Sequence, residues 1–305
     1  MDCGGRPTRQ YHRMPVEVRY YTDPVCPWSW AAEPIVRKLM WEFGDALRLR
    51  WVMGGLARSY GDDYRDEQAG ITGEGSCFDG LMANWLEVGA ETGMPIDPRL
   101  WRRNPLSSSY PACQAVKAAT EQGPDLAYAY LRRLREGLMC EVKKLDHVEA
   151  LVGEAGPAGL DAERFRIDLN SNAITEAFAA DLDEVRSPPD AARDAGQVKK
   201  TEGHERPSFP SVVFVGEDGS RHGVWGTSPY EAYREAALAA GAEVAEPRAP
   251  ETIEAVERFG RAATREVELL TGKPGPVVRA ELWAAAREWR LRAVPVLGGE
   301  LWELA

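Results

Sequence analysis

The chain has 305 residues, of which 44% are hydrophobic and 28% charged, and this composition is typical of a folded globular protein. Its formal net charge of −11 argues against nucleic acid and anionic membranes as partners. No apolar run approaches the roughly 18–20 residues that span a bilayer, and the N-terminal "MDCGGRPTRQYHRMP" lacks the apolar core of a secretory signal. We therefore expect a cytoplasmic protein with no membrane or nucleic-acid partner.

The first 55 residues follow the pattern strand, helix, strand. "VEVRYYTD" (16–23) is rich in Val and Tyr and predicts a strand that Pro24 ends. Apolar residues at helical spacing predict a helix from Trp28 to about Phe43, with a kink at Pro34. "LRLRWVMGG" (47–55) alternates and predicts a second strand, which a right-handed crossover would place parallel to the first.

Helical patterns without a convincing strand occupy about residues 62–202. In chain order they are DGLMANWLEVGAET, YPACQAVKAATEQ, DLAYAYLRRLREGLMCE, DHVEALVGEAG and DAERFRIDLNSNAITEAFAADLDEVR. Gly-Pro and Pro-Pro pairs separate them, as they do in connecting loops. The stripe of Leu126, Tyr130, Leu134 and Leu138 is typical of core packing. We predict a large helical insertion here.

Strand signals return near residue 210. The pattern predicts a strand over residues 211–215, a turn at Asp218-Gly219, an antiparallel strand over 222–225 and a helix over about 230–240. Without the insertion, the order is strand, helix, strand, strand, strand, helix, which is that of the thioredoxin fold. We therefore predict an α/β thioredoxin domain over residues 16–241.

The remaining residues, 242–305, suggest a small separate module. Two or three helical patterns precede "LRAVPVLGGELWEL", which predicts a hairpin with a Gly298-Gly299 turn. Helices that end in a two-stranded ribbon suggest a winged-helix-like module. Nine Lys and Arg face eleven Glu in this segment, so the charges favour a protein partner over DNA.

The five cysteines are odd in number, scattered and without metal-ligand spacing: Cys3, Cys26, Cys77, Cys113 and Cys140. Cys26 differs from the others because "DPVCPWSW" places it after a strand and directly before a predicted helix. Backbone N–H groups at a helix start stabilise a thiolate, so we expect an exposed sulfur with a lowered pKa. The alternative for Cys26 is a buried, inert cysteine.

A second candidate feature is Phe209-Pro210, which lies directly before the strand at residue 211. Cis peptide bonds before proline are a minority that marks tight turns. Together with Cys26 and the strand order, this position favours a cis bond beside the thiol. The alternative is an ordinary trans proline at the start of an edge strand.

The stretches "YYTDPVCPWSW", "LRLRWVMGG" and "RPSFPSVVF" resemble the DsbA family of thioredoxin-fold proteins. The likeness is strongest to its cytoplasmic members, the FrnE-like proteins and the adaptor that delivers the Spx regulator to the ClpXP protease. The resemblance implies Cys26 as nucleophile, Ser29 at the position of the resolving cysteine and Pro210 as the cis-proline. We further predict that their neighbours Pro27, Trp28 and Phe209 contact a substrate.

Ser29 departs from the Cys-x-x-Cys pattern, and three functions follow from that departure. The first is a DsbA-like monothiol exchange protein that uses Cys26 in a C-P-W-S motif. The second is a non-catalytic, protein-binding adaptor that contacts a partner through its C-terminal module. The third is an enzyme like the glutathione transferases and isomerases. The sequence leaves open whether the protein is an enzyme, and whether Ser29 is the natural residue.

The lead hypothesis is monothiol exchange with protein thiols, protein disulfides or small thiols. A second thiolate normally releases the mixed disulfide, and a serine cannot do so. Cys26 would then need a low-molecular-weight thiol as co-substrate, and the sequence predicts no other cofactor and no metal. Cys113 is a candidate to resolve Cys26 in place of Ser29, although a packed helix cysteine is the simpler interpretation. His204 could line the site or be a solvated loop residue.

Overall fold

The structure, a computed structural model, describes residues 14–305. Its strands are β1 Val16–Thr22, β2 Leu47–Met53, β3 Val198–Thr201, β4 His204–Pro207, β5 Ser211–Val215, β6 Arg221–Val224, β7 Ala262–Ala263, β8 Leu291–Val296 and β9 Gly299–Leu304. Cys3 lies outside the described residues. Over residues 14–305, no helix has the length and apolar character needed to cross a membrane.

The helices flank these strands and fill the insertion. They are α1 Pro27–Ala31, α2 Glu33–Phe43, α3 Cys77–Thr92, α4 Leu100–Arg103, α5 Tyr110–Thr120, α6 Pro124–Met139, α7 Val148–Gly153, α8 Ala162–Leu169, α9 Asn172–Val185, α10 Asp190–Asp194, α11 Tyr230–Ala239, α12 Thr252–Phe259, α13 Thr264–Thr271 and α14 Gly275–Arg287.

The central sheet has four strands in the order β2-β1-β5-β6. β1 and β2 are parallel in a register that runs from Val16 opposite Leu47 to Thr22 opposite Met53. β5 is antiparallel to β1, and β6 is antiparallel to β5. The predicted thioredoxin order, with a helical insertion between β2 and the later strands, is therefore confirmed.

The helix that follows β1 is broken rather than kinked. α1 ends at Ala31 and α2 begins at Glu33, so the break falls two residues before the kink predicted at Pro34. Proline lacks an N–H, and its ring clashes with the carbonyl four residues earlier, which here belongs to Trp30. The fully buried indole of Trp30 donates a hydrogen bond to the Pro95 carbonyl over 2.9 Å. This bond ties α1 to the insertion.

The insertion is helical as predicted, and Tyr130, Leu134 and Leu138 of its α6 stripe are fully buried. The single helical pattern predicted over residues 161–186 is two helices in the structure, α8 and α9. Ser171 separates them as the N-cap of α9, since its hydroxyl accepts a hydrogen bond from the N–H of Ile174.

The prediction that residues 62–202 contain no strand is wrong at β3. This strand forms an antiparallel hairpin with β4, from Val198 opposite Pro207 to Thr201 opposite His204. Glu202 and Gly203 both have positive φ, 48° and 80°, as a two-residue type I′ turn requires. Between Val198 and Pro207 the hairpin sequence "VKKTEGHERP" has no apolar side chain, so it carries no alternation of apolar and polar residues.

The C-terminal residues form helices α12–α14 and a three-stranded sheet in the order β7-β9-β8. The predicted hairpin is confirmed, but Gly299 pairs with Val296, so the turn is at Leu297-Gly298, one residue earlier than expected. The winged-helix likeness and the domain boundary between residues 241 and 242 stay predictions.

Buried ion pairs join the C-terminal helix α13 to helices α2 and α6. The guanidinium of Arg132 donates to both carboxylate oxygens of Glu266 at 2.7 and 3.0 Å, and Arg37 lies 3.2 Å from the same carboxylate. Arg132 also lies over the ring of Trp30 at 4.4 Å. Removing one partner of such a buried ion pair strongly destabilises the fold, because the remaining charge is buried and neither water nor an opposite charge compensates it.

Candidate functional site

Cys26 is the N-cap of α1, at the end of the short loop that leaves β1. Its N–H donates to the Asp23 carbonyl at 3.1 Å, and its own carbonyl accepts from the N–H of Trp30 at 3.1 Å. The sequence therefore placed this thiol correctly at a helix start. The expected exposure is wrong, because Cys26 is only 3% exposed.

Burial changes the electrostatics of Cys26. Desolvation raises the pKa of its thiol, because a thiolate is poorly stabilised away from water. The hydroxyl and the N–H of Ser29 and the positive charge of Arg206 oppose this shift, while the Asp23 carboxylate adds to it. Together these effects raise the pKa of the Cys26 thiol, so the prediction of a lowered pKa is wrong. The position at a helix start does not stabilise the thiolate enough to compensate for its desolvation.

Ser29 occupies the position that a second cysteine would take in a dithiol enzyme. It is fully buried, one turn after Cys26. Its hydroxyl makes no hydrogen bond of standard geometry among the described residues, but it lies close enough to the Cys26 sulfur to favour the thiolate. It would donate a stronger hydrogen bond to a thiolate than to a neutral thiol.

The peptide bond between Phe209 and Pro210 is cis. Phe209 is fully buried and belongs to the same apolar cluster as Cys26, with Trp28 packed against it. Its ring approaches the backbone so closely that a Cβ at Gly54 would lie 2.1 Å from the ring. Only glycine fits at that position. Direct contact between Pro210 and the sulfur stays a prediction.

Two polar residues that the sequence analysis missed surround Phe209. The carboxamide of Gln68 accepts from the N–H of Phe209 at 2.9 Å and donates to its carbonyl at 2.5 Å. Arg206 lies over the Phe209 ring at 4.5 Å and donates to both carboxylate oxygens of Asp66 at 3.1 and 3.2 Å. No motif marks these residues, and Gln68 comes from a segment without periodicity.

A narrow cavity lies beside the thiol. Cys26, Pro27 and Trp28 form one wall, and side chains of the insertion form the other. The cavity volume of about 20 Å³ is close to that of a single water-sized probe. The transferase-like alternative stays a prediction. Pro27 and Trp28 line this cavity, as residues that contact a substrate would, but substrate contact by these two residues stays a prediction.

Asp23 fixes the loop that carries Cys26. Its fully buried carboxylate accepts hydrogen bonds from the N–H groups of Val25 and Leu56, both at 2.8 Å. The hydroxyl of Ser109 donates to the same carboxylate at 3.0 Å. Desolvation raises the pKa of Asp23, and these donors oppose the shift. The thiol loop is thus tied to the start of α5 through one carboxyl group.

A family model described as thioredoxin matches residues 20–186, which is more than half of the chain. The chain belongs to the thioredoxin family. The matched segment begins within β1, includes Cys26 and ends after α9, so it covers most of the helical insertion as well. The predicted resemblance to DsbA-like, thioredoxin-fold proteins with Spx-adaptor-like members is confirmed.

Similar curated proteins of this family carry an adapter name. ClpXP adapter protein SpxH of Halalkalibacterium halodurans is 32% identical over 60% of this chain and 58% of its own length. The Bacillus subtilis protein of that name is 28% identical over 59% of this chain and 55% of its own length. This chain therefore spans less than two thirds of those two relatives. The Shouchella clausii protein of that name is 25% identical over 95% of this chain and 89% of its own.

A solved structure from Nitrosomonas europaea, described as a protein disulfide isomerase, has the same fold. It superposes with a TM-score of 0.55 and 18% identity over 74% of this chain and 96% of that chain. At 18% identity, this superposition shows a shared fold and does not show a shared activity.

The remaining candidates lie apart from the Cys26 cavity. His204 is exposed at the start of β4 and lines a different surface cavity with Tyr110 and Arg186. Within residues 14–305, no cluster of His, Cys, Asp and Glu has the arrangement of a metal site. The four cysteines of the described range are all free thiols.

Proposed function

We propose that this protein is a thioredoxin-fold adaptor that binds another protein and presents it to a ClpXP-type protease. One observation carries the proposal. The residue that a dithiol enzyme needs is replaced by Ser29, and the remaining Cys26 is buried with a raised pKa. The fold is retained, whereas the chemistry of a redox enzyme is poorly supported.

Disulfide turnover requires two steps. A thiolate first attacks one sulfur of a substrate disulfide, so that a mixed disulfide forms and the other substrate sulfur leaves as a thiolate that takes up a proton. A second thiol must then break the mixed disulfide. Among the described residues, Ser29 stands where that thiol would be, so the protein has no internal group at hand for the second step.

The names of the relatives support the adaptor function. The Shouchella clausii protein, which matches almost the whole chain, is named a ClpXP adapter, as are the two relatives that match a shorter segment. We place the adaptor in the cytoplasm, because free thiols are typical of a reducing compartment.

The C-terminal residues carry the surface that supports protein contact. Trp289 is 86% exposed, and Trp283, Val277, Leu297 and Leu304 are exposed on the same segment. Trp289 also has a positive φ of 58°, a conformation that is uncommon for a large side chain. Exposed tryptophans are frequent anchors at protein interfaces. We therefore assign the partner contact to this segment.

A reconstituted degradation assay tests the adaptor function. Purified ClpX, ClpP and a Spx-type substrate are combined with the chain, and substrate loss is followed over time. We expect faster degradation with the wild type and with Cys26→Ser, and slower degradation with Trp289→Ala. Ile167→Ala is the matched control, since Ile167 is 73% exposed on α8. Failure of the wild-type chain to accelerate degradation would refute the proposal.

The second candidate function is monothiol exchange, and the observation that favours it is the Ser29 hydroxyl beside the Cys26 sulfur, which favours the thiolate. In that case an external small thiol would attack the mixed disulfide, release reduced substrate and be oxidised itself. Ser29→Ala would then raise the pKa of Cys26 and slow its alkylation, because the thiolate loses a donor. Ser208→Ala is the control, since its buried hydroxyl also lacks a partner. Equal rates in both variants would exclude a role for Ser29.

A further inference from the structure

Residues 64–71 form a small cap that lines the same narrow cavity as Cys26. Asp66 and Ile71 close it with two backbone hydrogen bonds of 3.1 and 2.9 Å. Tyr64, Asp66 and Gln68 of the cap line the cavity beside Cys26. The cavity beside the thiol is therefore lined by a segment that lies about forty residues further along the chain.

The first attachment of the cap is the pair between Gln68 and Phe209. A carboxamide has one donor and one acceptor in the geometry of a peptide group, and both are used here on one backbone residue, at 2.5 and 2.9 Å. Phe209 lies in the apolar cluster that contains Cys26. Gln68 thus joins the cap directly to the wall of the thiol site.

The second attachment is Arg206 at the end of β4. Its guanidinium donates to both carboxylate oxygens of Asp66, to the carboxamide oxygen of Gln68 at 2.8 Å and to the Thr201 hydroxyl at 2.7 Å. The same charge opposes the rise that burial causes in the pKa of the Cys26 thiol. One residue therefore holds the cap and favours the thiolate beneath it.

The tip of the cap, residues 67–70, can open without unfolding the core, whereas Tyr64 and Ile71 at its ends belong to the main hydrophobic cluster and stay packed. Polar contacts, which water can replace, hold the tip: the two attachments above and two hydrogen bonds between Glu67 and the backbone of Lys200. Gln68 is only partly buried. Gly70, Gly73 and Gly75 follow with φ of 70°, 102° and 79°, a left-handed region that favours glycine and allows the backbone to turn at the end of the cap.

We propose that Cys26 is a gated thiol whose reactivity is set by local opening of the cap at the Gln68–Phe209 and Arg206–Asp66 contacts. Local opening costs less free energy than global unfolding, so a thiol beneath a cap reacts faster than a thiol in the core. The inference concerns access to the sulfur, and it goes beyond the adaptor function. It applies equally to a monothiol exchange protein.

The rate of alkylation by iodoacetamide, followed by mass mapping of each cysteine, tests the gate on the full chain. Gln68→Ala removes both hydrogen bonds to Phe209 and the one from Arg206. We expect alkylation of Cys26 to become at least about 5-fold faster, because the two bonds to Phe209 alone correspond to a range of about 5- to 150-fold. Cys113 is fully buried outside the cap, so it should stay protected and report that the core is folded.

Gln122→Ala is the matched control. The carboxamide of Gln122 makes the same pair of bonds with the backbone of Asp161, at 2.9 and 3.0 Å, but it lies away from the cap. We expect this variant to leave the rate at Cys26 unchanged. The gate is refuted if Gln68→Ala reacts at the wild-type rate. It is also refuted if both variants accelerate Cys26 and expose Cys113 together, because that result indicates global unfolding.

Arg206→Lys tests the second attachment. Lysine keeps the positive charge but lacks the planar fork that binds both oxygens of Asp66. We expect faster alkylation of Cys26 with an unchanged pH midpoint of the reaction. An unchanged rate would remove Arg206 from the gate. A midpoint shifted upward without faster access would show that Arg206 acts on the thiolate alone, and would also contradict the proposal.

Discussion

The thiol of Cys113 donates a hydrogen bond to the carboxylate of Asp23 over 3.3 Å, and both side chains are fully buried. This contact explains why α5 begins beside the thiol loop. It also constrains the chemistry of Cys113. Burial and the neighbouring negative charge raise the pKa of its thiol well above the ordinary value. The thiolate needed to attack a mixed disulfide on Cys26 is therefore strongly disfavoured.

We predict that mild oxidation of the wild type produces no disulfide between Cys26 and Cys113. Peptide mapping of the oxidised, non-reduced protein measures this. Cys113→Ser should be as stable as the wild type, because a hydroxyl donates to Asp23 equally well, whereas Cys113→Ala should lose about 1 kcal/mol. A cross-linked peptide containing Cys26 and Cys113 would show that Cys113 does resolve the site thiol.

The sequence was sufficient to predict the sheet order and the position of Cys26. Those features depend on contiguous patterns: an alternating strand, a proline at a helix start, and an X-Pro pair before the next strand. The burial of Cys26 could not be predicted in the same way. It depends on Gln68 and Arg206, which are distant in sequence and belong to polar segments without periodicity. Only tertiary folding brings them over the thiol.

The strand β3 was missed for a related reason. A two-stranded ribbon at the protein surface needs no apolar face, so "VKKTEGHERP" carries no strand signal except its Glu202-Gly203 turn. The contact between α13 and α6 could not be predicted from the sequence either. Glu266 and Arg132 are ordinary surface residue types, and nothing local indicates that both are buried.

Glu266→Gln tests the connection between the C-terminal helix α13 and helices α2 and α6. The change leaves the buried guanidinium groups of Arg132 and Arg37 without their shared negative charge, and we expect a loss of about 3–5 kcal/mol in the free energy of unfolding. Urea denaturation measures this value. Glu268→Gln on the same helix is the control, because its pair with Arg265 is near the surface and should cost less than about 1 kcal/mol. Equal losses in both variants would contradict the role of the buried network.

Glu141 gives the stability a specific pH dependence. Burial acts to raise its pKa, but hydrogen bonds from Arg133, Lys143 and Arg261 outweigh this and hold the pKa at about 2, below the value of 4.5 for a free carboxyl group. A lowered folded-state pKa contributes stability above the unfolded value, and this contribution is lost as pH falls from 4.5 towards 2. We expect Glu141→Gln to lose about 1–3 kcal/mol at pH 7, after allowance for solvent screening.

The loss in Glu141→Gln should shrink as the pH is lowered, and the two denaturation curves should converge near pH 2. Glu149→Gln is the control, because its pair with Arg166 is exposed and should contribute little at any pH. A loss in Glu141→Gln that is the same at pH 7 and pH 3 would mean that the side chain acts through packing rather than through its charge.

Ser29→Cys tests whether the site retains the geometry of a dithiol enzyme. Positions 26 and 29 are the N-cap and the third residue of α1, and residues three apart lie on the same side of a helix turn. Two sulfurs placed there should meet within the distance that a disulfide needs. We therefore expect the variant to form an internal disulfide under mild oxidant, with the loss of two hydrogen atoms detected by intact mass.

The variant should also gain catalytic reduction of insulin-type disulfides, since the introduced thiol can release the mixed disulfide that Ser29 cannot. Cys26→Ser combined with Ser29→Cys is the control, because it keeps the new thiol but lacks the attacking one. Wild type and control should both turn over poorly. If the single variant stays fully reduced, the two side chains do not face each other, and the loop geometry differs from that of a dithiol enzyme. If the wild type turns over without added thiol, an internal group other than Ser29 completes the reaction, and the adaptor function loses its main support.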